Sequence, residues 1–128
     1  MEKVTQLSVA LENVPGQLGR MCRVLAQADV NIRAISISDA ADISTIRLCV
    51  SNAAAAKRAL RDSGLPFVTQ EVLMVEVTDK PGALEDVAIR LGEAGVNINY
   101  IYSAGGTGGK AVLVFGVDNV DVARQTLR

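Results

Sequence analysis

Two short segments hold the residues of this chain best suited to bind something: Asn13-Val14-Pro15-Gly16 and Asp79-Lys80-Pro81-Gly82. Each precedes an amphipathic run, so its Pro-Gly pair turns the chain into the start of a helix. The first amides of a helix lack partners within it and attract a carboxylate or phosphate. Asn13 or Asp79 is placed to cap the helix or to accept a hydrogen bond from an ammonium group. Asn31 and Asn97 add a donor and an acceptor each. No Lys/Arg pair stands beside the turn in both copies, so the set suits a zwitterion better than a phosphate. Pro-Gly turns and strand-initial asparagines are also ordinary structural punctuation, and that reading stays open.

Other reactive groups are sparse. The chain has no histidine and no tryptophan, which removes the usual general base and transition-metal ligand. No converging acid–base pair is legible, so no catalytic residue, metal site or cofactor is expected. Cys22 and Cys49 fall within apolar patterns and read as buried small hydrophobes. The loop Gly105-Gly106-Thr107-Gly108-Gly109 lacks the Gly-Lys-Ser/Thr of a phosphate loop and leads into a strand, so it reads as a hairpin connection. Tyr100 and Tyr102, two apart, share one strand face.

The elements that position these residues follow from a duplication. A shift of 66 places Leu7, Val9, Pro15, Gly16 and Leu18 on Leu73, Val75, Pro81, Gly82 and Leu84. Val30, Asn31 and Ile32 fall on Val96, Asn97 and Ile98; after a one-residue insertion, Val50, Asn52 and Leu60 meet Val117, Asn119 and Leu127. In each half the apolar period changes in the same order. Leu7, Val9, Leu11 and Leu73, Val75, Val77 alternate as half-buried strands do. Leu18, Met21, Cys22, Leu25 and Leu84, Val87, Ala88, Leu91 then follow a helical spacing. Strands over 30–38 and 96–104 come next, then links over 39–44 and 105–109. Third strands carry Ile46, Leu48, Val50 and Leu113, Phe115, Val117, and helices follow over 53–62 and 120–128. A fourth strand for the first half is available at 67–71. The early segment 2–6 is expected to serve the second half, because Val4-Thr5-Gln6 resembles Val68-Thr69-Gln70; the alternative reading is a truncated or disordered C-terminus. The domains expected are 1–71 and 72–128, each an α+β sandwich with helices on one face of an antiparallel sheet.

The stretches LSVALENVPGQLGRMCRVLAQADVNIRAI and LMVEVTDKPGALEDVAIRLGEAGVNINYIY resemble the opening of ACT domains, the ligand-sensing modules of amino-acid metabolism. The resemblance implies two tandem ferredoxin-like βαββαβ repeats and a free amino acid bound where ACT units meet. By matching positions, it implies that Asn13, Val14, Pro15, Gly16, Gln17 and Leu18, and Asp79, Lys80, Pro81, Gly82, Ala83 and Leu84, hold the ends of the ligand. Asn31, Ile32, Asn97 and Ile98 are implied to line the same pocket. The halves differ: Gly95 precedes Val96, whereas Asp29 precedes Val30, and Ala83 is small where Gln17 is long. The second turn is therefore expected to be the more competent. Implied partners are a second copy of the chain and an enzyme of amino-acid metabolism, which such a protein regulates. The competing reading is a non-sensing regulatory subunit or dimerisation scaffold.

Composition closes several other routes. The 128 residues are 49% hydrophobic and 21% charged, with a formal charge of −1, ordinary for a soluble domain and unsuited to nucleic acid or anionic membrane. RNA-recognition modules of similar fold need exposed aromatics and a basic field, and metal chaperones need a paired-cysteine loop. Both are missing. Neither a signal peptide nor an apolar run long enough for a bilayer is legible, so a cytoplasmic location is expected.

Overall fold

The computed structural model describes residues 1–38 and 41–128. Its elements are β1 (Glu2–Glu12), α1 (Gln17–Gln27), β2 (Ile32–Ser38), β3 (Ile43–Val50), α2 (Ala53–Asp62), β4 (Phe67–Thr78), α3 (Ala83–Glu93), β5 (Ile98–Ser103), β6 (Lys110–Val117) and α4 (Val120–Leu127). The order β-α-β-β-α thus occurs twice, as the alternating and helical periods require. The expected link over 39–44 includes two residues outside the described set; Asp42 is described and joins the turn below.

Two compact units divide the chain: Thr5–Gln70, and Met1–Val4 with Glu71–Arg128. In the first, the strands run in the order β2-β3-β1-β4, with only the opening of β4 belonging to it. The amide of Ala10 donates to the Pro66 carbonyl at 3.1 Å, just ahead of that opening. The core is formed by Leu7, Val9 and Leu11 of β1 and Ile46, Leu48 and Val50 of β3, against Met21 and Leu25 of α1 and Ala56 and Leu60 of α2. One face of the sheet alone therefore carries the helices. Leu65, from the segment after α2, completes this core at 6% exposure.

The second unit repeats the plan in the order β1-β4-β6-β5, with the opening of β1 beside β4. Lys3 is in an ion pair with Asp121 of α4 at 3.6 Å. Leu73 and Val75, with Phe115 and Val117, pack on Val87 and Leu91 of α3 and Ala123 of α4. These are ferredoxin-like α+β layers, and both sheets are antiparallel where β1, β2, β4 and β5 meet β3 and β6.

The helix ends explain the matched punctuation. Asn52 and Asn119 cap α2 and α4, accepting from the amides of Ala55 and Val122 at 3.0 and 3.1 Å. Asp29 (φ 59°) and Gly95 (φ 76°) both take the left-handed conformation that ends α1 and α3. The Asp-for-Gly difference read in the sequence is thus a difference in helix termination, since aspartate tolerates that region better than most residues. Cys22 is half-buried and Cys49 buried, and neither is in a disulfide.

Opposite the helices, Tyr100 and Gly116 are paired across β5 and β6. A Cβ on Gly116 would fall inside the Tyr100 ring, so the glycine is what lets the ring lie on the sheet. Tyr102 stacks beside it, centroids 6.4 Å apart.

Candidate functional site

The two Pro-Gly turns adopt the same structure. Gly16 (φ 93°) and Gly82 (φ 88°) are left-handed and open α1 and α3, a backbone that disfavours any residue with a Cβ. The position that enters each helix therefore has no side chain with which to cap it. Asn13 and Asp79 are held by their backbones: their amides donate to Asp42 and Gly109 carbonyls, each at 2.8 Å. The glycine-rich loop between β5 and β6 thus braces the second turn. Its Gly106 passes so close to Lys110 that a Cβ there would meet the Lys110 carbonyl.

A cavity lies next to the first helix of each repeat, and the two share five matched wall positions, Ala10, Leu11, Glu12, Gln17 and Arg20 with Glu76, Val77, Thr78, Ala83 and Asp86. In the second repeat it measures about 540 Å³, bounded by Val75–Thr78 of β4, the turn at Lys80, Pro81 and Gly82, and Ala83, Asp86, Val87 and Arg90 of α3, with Leu127 of α4. In the first it measures about 270 Å³, bounded by Ala10, Leu11, Glu12, Gln17, Arg20 and Ile43, with Gly64, Leu65 and Pro66. Small-molecule pockets usually fall between about 300 and 1,000 Å³. Only the second is in that range.

Some substitutions between the halves favour the larger space. Gln17 becomes Ala83 and Leu11 becomes Val77, both exchanges removing volume from the wall. Charge changes too: Val14 and Val24 give way to Lys80 and Arg90, and Ala10 and Arg20 to Glu76 and Asp86. The second cavity consequently offers cations, carboxylates and an aliphatic wall together. Arg90 is oriented by its bond to the Thr126 carbonyl at 2.8 Å and by Asp86 one turn earlier at 3.8 Å. In the first repeat Arg20 makes the related brace to the Ser63 carbonyl at 2.8 Å. Both arginines sit at the negative end of the second helix of their repeat.

Acidic Glu85 and Asp86 occupy the first turn of α3. They already complement the positive helix end, so an added carboxylate is served better by Lys80 and Arg90 than by the helix amides.

The strand-two residues lie elsewhere. Because β1 and β2 both run antiparallel to β3, they run parallel to each other. Glu12, next to the first turn, is opposite Ile43, whereas Ile32 is opposite Val50. Seven residues of β3 separate these pairs, about 24 Å at 3.4 Å per residue. In the second repeat, Thr78 is opposite Lys110 and Ile98 opposite Val117, the same interval. Within one repeat, therefore, Asn31, Ile32, Asn97 and Ile98 do not share a pocket with the turn. The Asn31 and Asn97 amides instead donate to Ser51 Oγ (2.9 Å) and Asp118 Oδ1 (3.0 Å), with Ser51 and Asp118 donating back through their own amides. Asn97 Nδ2 donates to Asn99 Oδ1 at 2.8 Å. Val14, Leu18 and Leu84 of the expected set are substantially exposed, at 49%, 38% and 43%.

Sequence reasoning passed over Glu76, Asp86, Arg90 and Leu127. For the first three the signal was a change of charge at duplicated positions, from Ala10, Arg20 and Val24; Leu127 matches Leu60 and carried none.

A family model for the ACT domain pair matches residues 2–127. The chain belongs to the ACT domain pair family. A crystal structure of a protein from Bacteroides thetaiotaomicron is 33% identical, with a TM-score of 0.92, covering 98% of this chain and 86% of that one. The ligand-free regulatory subunit of aspartate kinase from Thermus thermophilus, at 13% identity, has a TM-score of 0.68 over 99% of this chain and 95% of its own. Aspartate kinase from Clostridium acetobutylicum, at 15% identity, gives 0.57 over 97% of this chain and 31% of its own. At these lower identities the likeness is one of fold. No curated protein matches in sequence. Among the described residues no helix is long and apolar enough to cross a membrane.

Proposed function

We propose that this ACT domain pair is a regulatory protein that binds a free amino acid at the Pro81-Gly82 turn, and not an enzyme. The observation that carries the reading is the second-repeat cavity, where Lys80 and Arg90, Glu76 and Asp86, and Val77, Val87 and Leu127 line one space of about 540 Å³. A zwitterion needs both signs of charge, and an amino-acid side chain needs the rest. Lys80 and Arg90 receive the carboxylate, while Asp86 or Glu76 receives the ammonium. The site works where ACT units of two copies meet, and the occupied form presents a changed surface to a partner enzyme of amino-acid metabolism. The likeness to an aspartate kinase regulatory subunit supports that partner class. Asn13 to Leu18, of which Gln17 lines the smaller cavity, are assigned the weaker site, and Asn31, Ile32, Asn97 and Ile98 enter a site only from a different unit than its turn.

A scaffold role has support of its own in the first repeat. Ile37, Ile43, Val14 and Leu18, at the turn end of that sheet, are between 38% and 55% exposed. Such apolar exposure fits protein contact, and we assign that end to self-association.

Thermal unfolding followed by circular dichroism, with each common amino acid in turn, tests the reading. A ligand at a hundred times its Kd adds about 2.7 kcal/mol, which raises the midpoint by several degrees. Lys80→Ala should abolish a selective shift without lowering the unliganded midpoint. If no amino acid shifts the midpoint, the sensor reading fails and the scaffold remains.

A further inference from the structure

The space between the two helices differs from one repeat to the other. Between α1 and α2 lies an open groove of about 410 Å³, floored by half-buried Val24, Ala28, Ala55 and Ala59 and edged by Gln27, Arg58, Asp62 and Ser63. Between α3 and α4 the matched positions carry larger side chains: Val24 becomes Arg90, Ala55 becomes Val122 and Ala59 becomes Thr126. Arg90 bridges that pair through its bond to the Thr126 carbonyl.

The outward faces of the helices carry opposite charge. Arg20, Arg23, Arg58 and Arg61 are exposed on α1 and α2, with Asp62 as the one acid of those helices. On α3, Glu85, Ile89 and Glu93 are all exposed and stand four residues apart, so they form one stripe along the helix. Ile89, at 51% exposure, is a large apolar side chain set between two carboxylates. Its counterpart on α1 is Arg23, and those of Glu85 and Glu93 are Gly19 and Gln27. One repeat thus has an apolar groove beside arginines, and the other an apolar knob beside acids.

We infer that the groove between α1 and α2 receives α3 of a second copy of this chain. Ile89 enters between Ala55 and Ala59 of one helix and Val24 and Ala28 of the other, while Glu85 and Glu93 meet Arg23 and Arg58. Opposite charge selects the unlike repeat, since pairing like repeats would set arginine against arginine or acid against acid. With 11 residues, α3 is about 16 Å long, and one such contact is small against the roughly 1,200–2,000 Å² of a stable interface. A two-fold dimer makes it twice, each copy giving one groove and one knob. The contact is separate from the amino-acid site and from the turn end of the first repeat, and it stands without either.

Sedimentation equilibrium of the full chain, in buffer free of amino acids, tests this. The dimer should weaken at least about tenfold between about 10 mM and about 1 M salt, as the screening length falls from roughly 30 to 3 Å. Ile89→Ala should weaken it about fivefold or more. Arg23→Glu/Arg58→Glu and Glu85→Lys/Glu93→Lys each set like charges together in both contacts of their own dimer, and each should weaken it at least about tenfold. All these positions are exposed, so folding is little at risk. An equimolar mixture of the two double variants should associate nearly as tightly as the wild type, because one contact is then unaltered and the other reversed on both sides. A mixture no tighter than either variant alone overturns the inference. So does a wild-type chain that stays monomeric at low salt, or whose association ignores both salt and these changes.

Discussion

Gly116→Ala isolates the contact between β6 and the Tyr100 ring. The added Cβ lands inside the ring, and the backbone around Gly116 is part of a paired strand, so the ring must leave its seat. Overpacking of this kind costs typically about 1–3 kcal/mol. Displacing Tyr100 also disturbs its stacking on Tyr102, so about 2 kcal/mol is expected, a fall of roughly 5–10 °C in the midpoint. The first repeat shows the compensating solution, because Ala34 is opposite Cys49 where Tyr100 is opposite Gly116. One repeat pairs small with medium, the other large with nothing. The double variant Tyr100→Ala/Gly116→Cys copies the first repeat and should be more stable than the sum of its single changes by about 1 kcal/mol or more. Circular dichroism melts of the four proteins give the cycle. A Gly116→Ala midpoint at the wild-type value would refute the steric argument. So would additivity within about 0.5 kcal/mol, since independent sites add to that precision.

Two further stability changes follow from the caps and the first-repeat core. Asn52→Ala and Asn119→Ala should each cost about 1 kcal/mol, and the glycine replacements only a few tenths; equal losses for alanine and glycine would show that the cap bonds contribute little. Leu65→Ala should cost about 2–5 kcal/mol and should lower hydrogen-exchange protection in β1 and α2 ahead of β6 and α4. Uniform loss across both repeats would contradict its placement in the first core alone.

Much of the fold was legible because the pattern is written twice. Leu7, Val9 and Leu11 predict a strand with one buried face, and Leu73, Val75 and Val77 repeat the prediction independently. The asparagine before each second helix, the Pro-Gly turn and the Val-Asn-Ile start of strand two lie at matched positions and have matched bonds. The site was legible only in part. Pro81 and Gly82 do line the larger cavity, but Asn97 and Ile98 stand at the other end of the sheet. Nothing in residue spacing reveals that, because the distance depends on β5 running parallel to β4 with β6 between them. The cavity walls were hidden for another reason. Asp86 and Arg90 look like solvent-facing helix residues until the cavity beside α3 is seen, and only comparison with Arg20 and Val24 marks them as exchanged.

Met1–Val4 belong to the unit completed by Glu71–Arg128, and this ties the order of synthesis to the order of folding. These residues emerge before the whole first repeat, yet the acid that Lys3 meets, Asp121, is made after it. The first repeat can close on the nascent chain from neighbours in sequence. The second must hold its opening strand in reserve until the far helix appears, a long-range closure of the kind that slows folding. A bulky group attached ahead of Lys3 should therefore be felt first by the repeat farthest from it along the chain.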